Sequence, residues 1–364
     1  MENIKINAYQ MFVLVVLFEM GSAILFAVGA EAKQDAWIAI LLGVVGGILI
    51  FLIYYRLYLF YPDIPLKSYV QKITGKWIGQ LIGIFYIVYF IYQATRVLRD
   101  IGGLLVTVTY TSTPIFVINT LMILTIIYAL HKGFEVIARV AEVYFFIIYL
   151  LAIFGFILIL FSGLIHLENL QPILENGVNP VLKTFLGQTI NYPFGEMIVF
   201  TMLLPYLNDQ KKAKKICIGG ILLGGLNILI TTVINIACIG VDYFVRSPYP
   251  LLSTISKIEL GFIERLDVFF MLYLVIGGFF KITLYYYAAV VGAADIFKFK
   301  NYRNLGFPIG LIILFASNTI ASNFAEHIKE GVVVIPIYLH WPLQIIIPVI
   351  LLIIAFFRNM GQKL

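Results

Sequence analysis

An all-α, polytopic membrane protein of about ten transmembrane helices is the fold class that three observations predict. Of 364 residues, 62% are hydrophobic and only 12% charged, against roughly half and a quarter in water-soluble domains. Apolar runs recur along the whole chain and exceed the ~18 residues that cross a hydrocarbon layer. Two of them are interrupted near their middles by glycine, proline and polar residues, the mark of broken spans around a midplane site. Lipid cannot satisfy exposed backbone groups, so each run is predicted helical, and the alternation of a barrel is absent.

The apolar runs predict spans over 8–29, 37–58, 78–104, 115–131, 140–163, 184–206, 216–240, 268–293, 305–323 and 337–357. They form one transmembrane domain over 1–364, with a first half over about 8–163 and a second over about 184–357. Met1 to Gln10 lacks the basic stretch and cleavage site of a signal peptide, so the first span is expected to stay in place. Loop charge sets the orientation. One side carries sixteen Lys and Arg residues, among them Arg56, Lys72, Lys132, Arg139, Lys211 to Lys215 and Arg303, and the other carries six. Both termini are therefore expected to be cytoplasmic. The net charge of +6 is explained by this asymmetry and not by a nucleic-acid face. Two segments on the outer side, Leu164 to Lys183 and Val241 to Asp267, predict short helices over the outer mouth.

Polar residues inside the spans mark candidate sites, because charge in hydrocarbon is costly and usually paired or functional. In span one, Glu19 is followed by Gly21-Ser22-Ala23, read either as a packing notch or as an unwound stretch. In span six, Asn191-Tyr192-Pro193-Phe194-Gly195-Glu196 combines a missing backbone donor with a glycine that tolerates unwinding. The two interruptions open the two five-helix halves, which predicts a five-plus-five inverted repeat with broken helices 1 and 6. In span three, Tyr89 and Gln93 share a helix face, and Arg96 with Asp100 is expected to form an ion pair near the outer mouth. Lys281, central in span eight, is expected to meet Glu19 or Glu196. Gly43-x3-Gly47 and Gly220-x3-Gly224 are read as close-packing pairs, and the histidines and tryptophans as interfacial. Cys217 and Cys238 lie 21 residues apart in one run, about 31 Å if helical, too far to bridge. No nucleophile, metal cluster or phosphate loop points to an enzyme, no cofactor is expected, and no carbonyl filter or charged ring points to a channel.

The whole chain resembles the B subunits of nutrient germinant receptors of endospore-forming bacteria, a branch of the amino acid/polyamine/organocation transporter superfamily. The resemblance rests on Gly21-Ser22-Ala23-Ile24-Leu25, Gly75-Lys76-Trp77-Ile78-Gly79 and Thr113-Pro114. It rests further on Leu170-Gln171-Pro172 with Glu175 and Gly177, Pro193-Phe194-Gly195-Glu196, and Phe262-Ile263-Glu264-Arg265. It implies the inverted-repeat transporter fold, a place in the spore inner membrane, partner A and C subunits, and a small germinant such as an amino acid bound in the transporter pocket. It also implies that Tyr89, Gln93 and Phe194 line that pocket. Gln93 stands where, by the resemblance, an apolar residue can occur in the family, and Lys281 where a hydroxyl residue can.

The expected ligand site is Gly21, Ser22, Ala23, Tyr89, Gln93, Tyr192, Phe194 and Gly195. Unwinding at Gly21 to Ala23 would start a half-helix whose positive end suits a carboxylate, and Tyr192 to Gly195 would supply backbone partners. Lys281 is expected either to act as a fixed cation between spans one and eight or only to neutralise a carboxylate. The competing function is an amino acid permease driven by protons.

Overall fold

The computed structural model describes residues 5–258 and 266–360. The Phe262–Arg265 segment quoted above, and with it the end of the second outer loop, lies outside the described residues. Helix α1 (Ala8–Ala23) starts at a capping box in which Asn7 and Gln10 exchange side-chain and backbone hydrogen bonds at 2.8 and 3.0 Å, satisfying two donors left open by the first turn. It is followed by turns and a short 3₁₀ helix (Ala30–Asp35), then α2 (Ala36–Phe60) and the short amphipathic α3 (Leu66–Thr74). Helices α4 (Lys76–Val108), α5 (Ile115–Lys132) and α6 (Phe134–Phe161) follow. Gly75 separates α3 from α4 and Gly133 separates α5 from α6, each as a one-residue corner at φ 90° and 96°. Those angles disfavour any residue with a Cβ.

Span six is not a continuous helix. Helix α7 (Val178–Thr184) widens into a π-turn (Phe185–Thr189), breaks, and resumes as 3₁₀ helix over Phe194–Met202 and Leu204–Tyr206. After α8 (Ala213–Ile239), the short α9 (Val241–Arg246) and α10 (Pro250–Ile255) supply helices in the second outer segment, as expected there. Helix α11 (Leu266–Ile296) is the axis of the molecule: from Phe280 to Val290 almost every side chain is fully buried. Helices α1 and α4 pack along it. By contrast α6 turns Phe146, Leu150, Ile153 and Phe154 outward, an apolar face that water would not tolerate but lipid does. The chain ends with α12 (Gly306–Thr319), α13 (Phe324–Lys329) leading into a π-turn, and a wide π-helical stretch (Pro336–Ile346) that runs into α14 (Ile347–Met360).

Among the described residues, seven helices are long and apolar enough to cross a membrane. An eighth crossing is counted if α12 and the segment 324–334, bent by 111° against it, act as one. The expected spans one and six are the interrupted ones, and neither contains a continuous helix of spanning length: α1 has 16 residues. Their ends are tied together. Ile6 N–H donates to Tyr206 O at 2.8 Å and Asn208 N–H to Ile6 O at 3.0 Å, while Lys5 Nζ donates to Pro205 O at 2.9 Å. The start of α1 and the end of span six are thus bonded to each other, and both interruptions face the same interior, where Tyr192 meets Ser22.

Candidate functional site

A cavity of about 640 Å³ runs from the loop after α9 and the segment 324–336 down to the two interruptions. Its deep end is bordered by Ser22, Gln93, Asn191, Tyr192, Glu196 and His340, and its upper wall includes Arg96, Asp100 and Lys329.

At the first interruption Gly21, Ser22 and Ala23 are still helical. Ile24 N–H closes the last turn on Met20 O at 3.4 Å, and the chain unwinds only from there through Leu25 and Val28 to Gly29. This corrects the expected unwinding at Gly21–Ala23. No long half-helix starts there either, so the positive helix end expected to receive a carboxylate is absent, and the carbonyl end of α1 takes its place. Gly21 serves close approach instead. A Cβ at this position would stand 2.7 Å from Lys281 Cβ and 2.8 Å from Gly277 O, so α1 can seat against α11 only through glycine.

At the second interruption Asn191 and Tyr192 turn back onto Gln188 O at 3.0 and 2.9 Å, and Glu196 N–H bonds Pro193 O at 3.1 Å to begin the 3₁₀ helix. Pro193 has no N–H to continue the preceding ladder. A Cβ on Gly195 would collide with the Gln344 amide and would stand 2.9 Å from Ile190 O, so the break is packed tightly against the π-helical stretch. That stretch contains Pro342, and its Leu343 and Gln344 carbonyls accept hydrogen bonds from Tyr86 Oη at 2.8 Å and Tyr54 Oη at 2.5 Å. Tyr54 Oη also reaches Gly195 O at 3.2 Å.

The floor of the cavity is a buried polar network. Lys281 Nζ lies 2.5 Å from Glu196 Oε2, with both side chains almost fully enclosed. The ammonium also sits over the rings of Phe18 and Tyr192, 5.1 and 4.9 Å from their centroids, which adds cation–π attraction. Gln93 Nε2 donates to Glu196 Oε1 and to Tyr89 Oη, both at 3.1 Å. Gln344 Nε2 joins Tyr89 Oη and His340 Nδ1, both at 2.7 Å. Tyr192 Oη donates to Ser22 Oγ at 3.0 Å, linking the two interruptions directly. Of the two carboxylates expected for Lys281, Glu196 is the partner. Glu19 is enclosed against Gly224 of α8, and neither of its carboxyl oxygens has a hydrogen-bond partner among the described residues.

The expected ligand residues divide. Ser22, Gln93 and Tyr192 border the cavity; Gly21, Ala23, Tyr89, Phe194 and Gly195 do not. Tyr89 stands one layer behind Gln93 and holds it, and Phe194 is buried against Gly47 of α2 and Gly225 of α8. The ion pair expected between Arg96 and Asp100 is not formed. Arg96 instead donates to His327 O at 2.6 Å and pairs with Glu330 at 3.4 Å, while Asp100 bonds His327 Nε2 at 2.6 Å. Both residues reach across to α13 and the turn after it. His327 and His340, expected at the interfaces, are buried. Tyr54, Asn191, His340 and Gln344 also belong to the site, and no local pattern around the last two pointed inward.

A family described as spore germination protein matches residues 5–325. Spore germination protein KB of Bacillus subtilis (strain 168) is 46% identical over 364 residues, covering 100% of this chain and 98% of that protein. The chain belongs to the spore germination protein family. Spore germination protein YndE of the same organism is 26% identical over 365 residues, covering 99% of this chain and 98% of the relative. Among solved structures, a nucleobase–cation symport-1 family transporter in a closed conformation with bromovinylhydantoin bound aligns with a TM-score of 0.64. It shares 12% identity and covers 90% of this chain and 75% of the transporter. A manganese transporter of Eremococcus coleocola aligns at 0.57 with 14% identity, over 95% of this chain and 76% of that one. These likenesses establish a transporter fold for this spore germination protein, and the family drawn from the sequence segments is the one found.

Proposed function

We propose that this chain is the B subunit of a nutrient germinant receptor, binding a small germinant, an amino acid, at the deep end of the 640 Å³ cavity. The observation that carries this reading is the convergence of both interrupted spans on one buried network, Ser22–Tyr192 beside Glu196–Lys281, at the foot of a cavity in a spore germination protein. A ligand wedged between the interruptions has differential contacts with two arrangements of spans one and six, which is what a population shift requires. In this reading the domain is a ten-span, five-plus-five inverted repeat in the spore inner membrane, the basic end and both termini face the cytoplasm, and partner A and C subunits carry the signal onward. The chain performs no covalent chemistry.

Gln93→Leu and Ser22→Val test the reading. Each is expected to raise the amino acid concentration needed for half-maximal germination by about tenfold or more, a hydrogen-bond's worth of affinity, at unchanged protein level. An unchanged response in both overturns the cavity as the sensing site. If Lys281, paired with Glu196, acts as a fixed cation between spans one and eight, binding is expected to be equal in sodium and choline buffers; a strong sodium requirement leaves it only the role of neutralising the carboxylate.

The transporter fold of the solved relatives favours a second reading, a proton-coupled amino acid permease. Proteoliposomes containing this chain alone separate the two: sustained pH-driven accumulation of labelled amino acid supports the permease, and binding without accumulation supports the receptor.

A further inference from the structure

Helix α1 has space on two sides. Ser22 borders the 640 Å³ cavity, and Met20, two positions earlier and about 200° round the helix, borders a second cavity of about 240 Å³. This second cavity is a groove that follows α6 from Ile148 to Ile159 and α8 from Asn227 to Ile234, with Met20 and Tyr273 of α11 as its back wall. Ile148 and Asn227 stand near the midpoints of helices of 28 and 27 residues. The groove therefore begins at the middle of the membrane. From there it rises ~16 Å along α6, to where Leu251 of α10 lines it, which is half of a hydrocarbon layer of about 30 Å. Its mouth lies at Phe156 and Ile230, both exposed, on the same apolar side as Ile153. The amide at its deep end is already engaged: Asn227 Nδ2 donates to Tyr149 Oη at 2.5 Å and reaches Met20 Sδ at 3.1 Å.

We propose that this groove binds one acyl chain of a phospholipid from the leaflet on the side of α10, with the terminal methyl at the Asn227–Tyr149 contact and the glycerol end toward Leu251. The site goes beyond the functional reading above and does not depend on it. Its dimensions select the occupant. A partner's transmembrane helix, ~10 Å across with its side chains, does not enter 240 Å³ and can only cover the mouth. Water needs two to four polar partners, and the Asn227 amide and the Tyr149 hydroxyl are already bonded to each other. A hydrocarbon chain runs along the membrane normal for the depth of one leaflet, as the groove does. Lipid is no less apolar than these walls, so the chain gains dispersion contact and not a hydrophobic transfer. Seated there, it backs the last turn of α1, which closes on Met20 O, from the side opposite the polar cavity.

Photolabelling from the lipid tests this. The full chain is placed in phosphatidylglycerol nanodiscs that contain a small share of phosphatidylglycerol with a diazirine at its chain end, irradiated, and its adducts are located by mass spectrometry. Adducts are expected on Met20 or Tyr273, both buried on the back wall, as well as on Leu150 and Phe154, which face outward from α6 and lie outside the groove. Moving the diazirine to the glycerol end of the chain should shift the groove adducts to Ile159 and Leu251. Ala152→Phe and Thr231→Phe fill the groove from its two sides. Each is expected to lose most of the Met20 and Tyr273 adducts while Leu150 and Phe154 are labelled as in wild type. Wild-type labelling confined to outward-facing residues overturns the site, and so does a folded, filled variant that labels Met20 and Tyr273 as wild type does. If neither filled variant folds, the wild-type adducts and their shift with the position of the diazirine decide it.

Discussion

Two charged clusters bound the same cavity on opposite terms. At the floor, Lys281 and Glu196 are 0% and 4% exposed and are drawn from α11 and the interrupted span six, with Gln93 of α4 and Tyr192 around them. At the roof, Arg96 and Asp100 of α4 hold only the short α13 and the turn after it, through His327 and the 36%-exposed Glu330. Floor partners come from elements already fixed by the core, whereas roof partners lie on a segment bent by 111° away from the helix before it. Removing one charge of the floor pair Lys281–Glu196 should therefore damage the whole fold. Loss of a roof group should loosen only the cover of the cavity, because local opening draws on segments with few buried contacts.

The largest expected effect is that of Lys281→Ala. It leaves Glu196 buried without its counter-charge, a cost of about 3–5 kcal/mol, seen as a lowered unfolding temperature and a reduced protein level. Lys281→Met combined with Glu196→Gln removes both charges and should recover most of that loss. A double variant as unstable as the single one would mean that the pair matters for more than mutual neutralisation. Gly21→Leu comes next. Its Cβ would press on the Lys281 stem at 2.7 Å and on Gly277 O at 2.8 Å, and overpacking of this kind costs about 1–3 kcal/mol. If unfolding is unchanged while germination is lost, Gly21 returns to the ligand surface and the floor extends onto α1.

At the roof, Asp100→Asn weakens the buried bond to His327 Nε2, worth about 1–3 kcal/mol when one partner is left unsatisfied. Its signature should be faster amide exchange over 324–334 with little change in α4 or α11. Uniformly faster exchange would erase the distinction between the clusters.

Much of this architecture was legible in the sequence. Apolar run length located the helices because bilayer thickness imposes it, and proline with glycine located the second interruption because a missing donor has few remedies. The first interruption was misplaced by several residues for a physical reason: glycine marks close approach as readily as unwinding, and at Gly21 it is the approach of α11 that requires it. The Arg96–Asp100 pairing failed similarly. Spacings of i, i+3 and i, i+4 are the partnerships that a single helix can display, while the charged partners actually used lie some 230 residues away, 227 for His327 with Asp100. Gln344, Tyr54 and His340 were invisible as site residues because their roles depend on a π-helical stretch packed against the second break. Phe194 went the other way: placed in the pocket by resemblance, it fills the gap over Gly47 and Gly225.

The smallest effect should follow Glu330→Gln. Its pairing with Arg96 spans 3.4 Å at a partly exposed rim, where such pairs contribute about 0–1 kcal/mol and are screened by salt. Arg96 keeps its bond to His327 O at 2.6 Å and its contact with Tyr92 Oη at 3.3 Å, so the guanidinium is not orphaned. Global unfolding should match wild type, and amide exchange over 324–334 should rise less than in Asp100→Asn. Raising salt should mimic the variant, since it weakens the same exposed attraction and leaves the buried bonds alone. If Glu330→Gln instead opens the segment more than Asp100→Asn does, the cover is held by its exposed charge and not by the buried histidine, and the roof becomes a salt-sensitive latch.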